Sequence, residues 1–366
     1  MHLQQQAGSA PEPDGLDRLR PFTCFGVPLP TPIASQPETG SFANLVVVST
    51  FYHLLLACLI ARDPRFPGKS LLVIDTEREQ MAVLSNLLTN APDRLFDEVR
   101  VMPEVSGSKL ARERMHGKWL ARLDDAVQPE RVIIFTDLRP DNQLLCRRAT
   151  ARGAATFCGE DGGAAYSSGS WAVPLRRYLK RMLCFGPWLE NRAAAGSSRH
   201  VQTFLALYPE LVRPELLAKP RWELNRSLMP DLLSLSWIRR FIEHFQLTPD
   251  ALACDELHVP TSSRATGATE ELRNLLRQEI GTARTKGLDC VVKYHPRERS
   301  DFLEAEAMGA RLLPTAIPVE LIYLASAGRL RRVIGDTGTT LLTARWLVPE
   351  AEALSILPHL PELMDP

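Results

Sequence analysis

The sequence has no net charge: 43 Lys and Arg balance 43 Asp and Glu over 366 residues. No global field therefore draws it to nucleic acid or to an anionic surface, and any charged ligand must be met locally. Cysteine is sparse and odd in number, seven residues scattered at positions 24, 58, 146, 158, 184, 254 and 290. That suggests neither a disulfide framework nor a zinc site and fits a reducing cytoplasm. The eight histidines include no HExxH spacing, and no structural metal is expected. Long apolar runs are missing as well. Residues 45 to 61, LVVVSTFYHLLLACLIA, come nearest, but STFYH interrupts them, and they read as strand (45–48), loop (49–50) and helix (51–62) rather than a membrane span. The first 43 residues lack a basic stretch followed by an apolar one, so no signal peptide is read there. Rich in Pro, Gly and polar residues, they read as a flexible extension.

What is present is an alternation. With 45% hydrophobic residues, the length suggests two domains. Strand-like LLVI (71–74), VRVM (99–102), RVIIF (131–135) and AATFC (154–158) alternate with helical segments at 77–90, about 108–127 and NQLLCRRATARG. Between 171 and 250, prolines cut a mostly helical pattern into short pieces, read as a connecting region. A second alternation follows: ELHVP (256–260), a helix over about 268–286, DCVVK (289–293), a helix near 300–308, ARLLP (310–314), VELIYLA (319–325), RVIG (332–335) and the helical TTLLTARWLV. Strands alternating with helices imply parallel sheets covered on both faces, in two α/β units.

Three short stretches sit where strands stop, the edge at which open α/β sheets bind ligands. The first is CGEDGGAAY (158–166), whose adjacent Glu160 and Asp161 precede two glycines; an ordinary surface turn would use the same residues. In KYHPRE (293–298), Lys293, His295 and Arg297 form a group suited to an anionic oxygen. GDTGTTLL (335–342) places Thr339 and Thr340, after Gly338, at a helix start, where free amides and the helix dipole favour a phosphate; a plain threonine N-cap is the alternative. No GK[ST] follows, which argues against nucleoside triphosphate hydrolysis.

In this order, EDG (160–162), HP (295–296) and the hydroxyl pair (339–340) resemble the three motifs of bacterial sialyltransferases and polysialyltransferases, with VVVSTFYHLLLA and RVIIFTDLRPDNQLL adding to the likeness over residues 44 to 345. The pair is Thr-Thr where serine is common, which keeps the hydroxyls and adds methyl bulk. The resemblance implies two Rossmann-like domains facing across a cleft, the GT-B type of glycosyltransferase. It implies a general base at Glu160 or Asp161, a donor-phosphate contact at His295, phosphate binding by Thr339 and Thr340, and nucleotide contacts from Lys293 and Glu320. The activity implied is inverting, metal-independent transfer of sialic acid from CMP-sialic acid to a hydroxyl of a cell-surface glycan, capsule or lipooligosaccharide, with no cofactor. Another CMP-linked acidic sugar of the Kdo kind, a UDP-sugar, or a non-catalytic glycan-binding role are the alternatives.

The expected organisation is an extension at 1–43, an acceptor-side domain at 44–225, a nucleotide-sugar domain at 226–345 and a tail at 346–366 that packs back on the first domain. The partners expected are a sugar-nucleotide donor and a glycan acceptor, lipid-linked in one version, and no nucleic acid. The strip WAVPLRRYLKRMLCFGPWLENR (171–192), with Arg176, Arg177, Lys180 and Arg181 among aromatics, reads either as a solvated helix packing its aromatics on the core or as a contact with an anionic bilayer. The location expected is cytoplasmic, and peripheral on the inner membrane in the second reading.

Overall fold

Each strand of the first alternation is short, apolar and flanked by a helix, so it must bury both faces, and a parallel sheet is the arrangement that does so. The computed structural model describes residues 41–356, apart from 168, 229–231, 261–269 and 336–337. In it β1 (Asn44–Val48), β2 (Ser70–Ile74), β3 (Glu98–Val101), β4 (Arg131–Ile134), β5 (Ala155–Gly159), β6 (Thr203–Ala206) and β7 (Arg221–Glu223) form one parallel sheet in the order β3-β2-β1-β4-β5-β6-β7. The helices between them are α1 (Phe51–Arg62), α2 (Glu79–Thr89), α3 (Lys109–Val127), α4 (Pro140–Ala151) and α5 (Leu175–Phe185). After α6 (Ser236–His244) and α7 (Pro249–Leu252) comes a second parallel sheet, ordered β10-β9-β8-β11-β12. Its strands are β8 (Glu256–His258), β9 (Cys290–Val292), β10 (Arg311–Leu312), β11 (Arg332–Gly335) and β12 (Glu352–Ser355), with α8 (Glu270–Thr285), α9 (Val319–Ala325) and α10 (Thr339–Leu347). In both sheets the strand order reverses at one point, between β1 and β4 and between β8 and β11, the place where open α/β sheets bind ligands.

Side-chain alternation assigns the two faces. Val46 and Val48 join a cluster under α1 and α2, while Leu45 and Val47 join Leu120, Leu123 and Leu145 of α3 and α4 on the other side. The first cluster does not end with the sheet; it continues through Phe241 and Ile242 of α6 to Leu257, Val291 and Val333 of the second sheet. Helix α8 covers the far face of that sheet with Leu272, Leu276, Ile280 and Ala283, a stripe at helical spacing. Glu270 and Glu271 in its first turn and Arg284 in its last complement the dipole. The run that comes nearest to a membrane span is β1 plus α1, whose residues Phe51 to Ile60 are all buried. No described helix is long and apolar enough to cross a membrane.

Four sequence expectations are corrected. The 171–250 segment is more than a connector, for β6 and β7 extend the first sheet to seven strands. Residues 300–308 form turns rather than a helix, because the Asp301 carboxylate takes the amides of Ala305 and Glu306 and so competes with helical bonding. The second domain does not begin cleanly at 226: α6 packs on α2, and Ser236 N–H donates to Asp93 (2.5 Å). Residues 346–355 are not a tail, since α10 runs to Leu347 and β12 adds to β11 in register, Arg332 opposite Glu352. The first forty residues and the last ten lie outside the described residues.

Candidate active site

The adjacent carboxylates at the end of β5 turn opposite ways, and this separates their chemistry. Glu160 is 1% exposed. Its Oε1 accepts from Tyr52 Oη, and its Oε2 from Tyr166 Oη and from Leu207 N (2.8 Å). Burial raises its pKa to about 7 against those three donors. Burial and the neighbouring Glu160 likewise keep both phenols protonated. Glu160 thus ties α1, β5 and the loop after β6 together, with no oxygen to spare.

Asp161 faces outward, its side chain 42% exposed. His53, in the first turn of α1, holds one of its oxygens: Nε2 to Oδ1, 2.9 Å. Ser49 N–H points at His53 Nδ1 (3.4 Å), which leaves the Nε2 proton for Asp161. The imidazole stacks on Phe135 at 4.8 Å between centroids, and Gly159 is what makes room for that ring, as a Cβ there would enter it. Desolvation opposes the Asp161 charge, but the His53 hydrogen bond and the charge of Arg78 hold its pKa below the ordinary carboxylate value. Oδ2 has no partner among the described residues and is free to take a proton.

The second sheet supplies the groups expected to meet a phosphate. His295 follows β9; Arg297 N–H donates to its Nδ1 (3.1 Å), so the neutral ring presents Nε2–H. Burial, then Arg297, Lys293 and Arg78, lower its pKa. Lys293 is buried, its Nζ bonded to the carbonyls of Tyr294 (2.9 Å) and Thr315 (3.1 Å), and desolvation lowers it to about 8 against the opposing pull of Glu320. Glu320, in the first turn of α9, is itself raised by burial. Lys293 and Glu320 thus both lie in the interior and act on each other electrostatically. Gly338, at φ +114°, caps α10, and Thr339 and Thr340 form its first turn; Asp336 and Thr337 lie outside the described residues.

The front and back halves meet. Gly163 N–H donates to Thr339 Oγ1 at 2.8 Å, across 176 residues of sequence. Gly162, at φ +67°, lies so close that a Cβ would overlap Thr339 Cγ2. Arg78 acts electrostatically on both Asp161 and His295.

No protein-family model and no curated protein matches the chain. Solved structures do: UDP-GlcNAc 2-epimerase from Methanocaldococcus jannaschii aligns at a TM-score of 0.52 and 12% identity, over 83% of this chain and 81% of that one. UDP-N-acetylglucosamine 2-epimerase from Rickettsia bellii gives 0.47 at 16% identity, over 83% and 76%. Phytolacca americana UGT2, complexed with UDP-2fluoro-glucose and pterostilbene, gives 0.41 at 14% identity, over 82% and 78%. The fold is of GT-B type. At these identities the likeness is one of fold.

Within that fold, Tyr52, His53, Arg78, Phe135 and Tyr166 surround or act on the candidate carboxylates, and the motifs did not include them. Tyr52 and His53 were findable, being polar residues in an otherwise apolar helix just after the strand at the switch point. Arg78 was not, because nothing local marks a cation before α2 as acting on Asp161 or His295. One acidic group, Asp75, Glu77 and His116, has ligand atoms within 4.8 Å of one another, but Arg139 bonds Asp75 and Arg112 pairs with Glu77 (3.2 Å), a charge balance unlike that of a cation site. In the first domain, a cavity of about 200 Å³ lies among α3, α5 and the start of α4, lined by Lys109, Glu113, Arg139, Trp171, Arg177 and Arg181.

Proposed function

We propose that this protein is an inverting glycosyltransferase that moves sialic acid from CMP-sialic acid to a hydroxyl of a cell-surface glycan, acting from the cytoplasm and without a metal. The observation that carries the proposal is the junction of Gly163 and Thr339, which joins the carboxylate loop of one domain to the helix start of the other. Asp161 is the general base. As the acceptor oxygen bonds to the anomeric carbon, its proton passes to Asp161 Oδ2, and His53 keeps the carboxylate oriented through Oδ1. The bond from that carbon to the phosphate oxygen breaks on the opposite face, and the electron pair leaves with the nucleotide. In this reading His295 Nε2–H, the α10 amides and the Arg78 charge meet the charge growing on the leaving phosphate; the Nε2–H tautomer of His295 and the helix start at Thr339 support it. Glu160 fixes the loop and takes no part in proton transfer. The cavity of about 200 Å³, with its cationic and aromatic lining, provides the room for an acceptor glycan.

A UDP-sugar donor is the second reading. What favours it is the fold likeness to an epimerase of UDP-GlcNAc. Thermal shift with CMP and with UDP separates the two, because a ligand that binds only the folded form raises Tm. A rise with CMP and not UDP, together with CMP release from CMP-sialic acid, is the expected result; a rise with UDP alone overturns the donor assignment.

A further inference from the structure

Helix α5 buries none of its residues. Leu175, Leu179 and Leu183 recur every four positions and are 69%, 48% and 89% exposed, with Trp171 just upstream at 53%. These four are half of the large exposed hydrophobic residues among those described. Spacing of four places the leucines in one stripe, and Arg176 and Lys180 follow it along one flank. No acidic residue occurs from 171 to 189, where Arg176, Arg177, Lys180 and Arg181 supply four cations. The opposite face ties the helix to the body: Tyr178 Oη donates to Leu189 O (2.7 Å) and Arg181 to Glu113 (2.9 Å).

We infer that α5 is an interfacial helix that docks the protein on an anionic lipid bilayer. Its leucine stripe enters the boundary between headgroups and acyl chains, and Arg176 and Lys180 meet the lipid phosphates. Charge complementarity selects this occupant: a row of exposed leucines beside unopposed cations, on a protein of zero net charge, matches a surface that is both apolar and negative. A second copy of the chain would bring the same cations against one another. Tyr178 and Arg181 also wall the first-domain cavity, so a docked α5 holds that cavity within about one helix diameter, ~10–12 Å, of the headgroups. A lipid-linked glycan is an acceptor suited to that position. The docking rests on α5 alone and does not depend on which sugar nucleotide is used.

The test is co-sedimentation of the full chain with vesicles of phosphatidylglycerol and phosphatidylcholine, and with phosphatidylcholine alone, at low and high salt. Pelleting with anionic vesicles, weakened by salt, is expected. R176Q/K180Q is expected to lose affinity by about 30-fold, from roughly 1 kcal/mol per basic residue near the surface. Leu175→Ser with Leu179→Ser and Leu183→Ser is expected to abolish pelleting. Both variants change exposed positions, and their thermal shift with CMP checks folding and the cleft separately from docking. No pelleting of the wild type, or unchanged pelleting of the leucine variant, overturns the inference. So does light scattering that shows a wild-type dimer reduced to monomer by the leucine changes, which would assign the stripe to a second copy.

Discussion

Asp161 and Glu160 are neighbours in sequence in opposite surroundings, one partly exposed and one buried, and substitution separates them. Asp161→Asn keeps the shape and a hydrogen bond to His53 but removes the proton acceptor. Transfer is expected to fall by about 10²–10⁴-fold with nucleotide affinity retained, as read from kcat at saturating donor and from the CMP thermal shift. Because His53 and Arg78 hold the Asp161 pKa down, the acidic limb of the wild-type rate profile should lie below the ordinary aspartate range. Glu160 gives a stability signature instead. Its folded pKa, about 7, exceeds the ordinary 4.5, so folding takes up a proton between those values. The resulting stability is fully present below pH 4.5 and is lost as pH rises through about 7, an increment of about 3 kcal/mol. Glu160→Gln, which carries no charge, should remove that slope when urea unfolding at pH 5 and pH 8 is compared with wild type; equal slopes would show that Glu160 is not the buried titrating group.

At the scale of elements, β6 depends on a latch that lies far away in sequence. The Asp137 carboxylate, after β4, accepts from Gly196 N (2.6 Å) and Ser198 N (2.8 Å), fixing the chain that enters β6. Asp137→Ala strands both buried amides. At about 1–3 kcal/mol per orphaned group it should cost at least ~2 kcal/mol by urea unfolding, with the midpoint falling and hydrogen exchange rising first in β6 and β7. This latch also shows why part of the fold escaped the sequence. Helix α1 falls where the apolar pattern puts it, since its twelve-residue run is long enough to be read. Strands β6 and β7 have four and three residues, too few to show one, and Asp137 and neighbouring strands hold them rather than their own propensity. At 300–308 the helical composition is genuine but loses to the Asp301 side chain. The motif residues were legible because each sits at a strand end; their partners were not, because Arg78 and Tyr166 acquire meaning only once the strands are ordered.

At the scale of the molecule, the domains share a core through α6 and meet again at the cleft. Gly163 bonds Thr339, and Gln80 Nε2 donates to Ala316 O at 2.6 Å. Gly162→Ala probes this junction. A left-handed backbone costs an alanine about 1–2 kcal/mol, and its methyl must also push Thr339 aside. A lowered Tm and slowed transfer are expected, and adding Thr339→Ser, which deletes the opposing methyl, should recover part of both. Recovery would show that the loss arises between the domains rather than within the loop. The central claim is that one cleft joins a proton acceptor from the first domain to a phosphate cradle from the second. Its most direct test is the initial rate of CMP release from CMP-sialic acid, with glycan acceptor present, for wild type, Asp161→Asn and His295→Ala side by side. The account predicts turnover by the wild type and losses of about 10²-fold or more in both variants. Full rates in both, or no CMP released by the wild type, would contradict it.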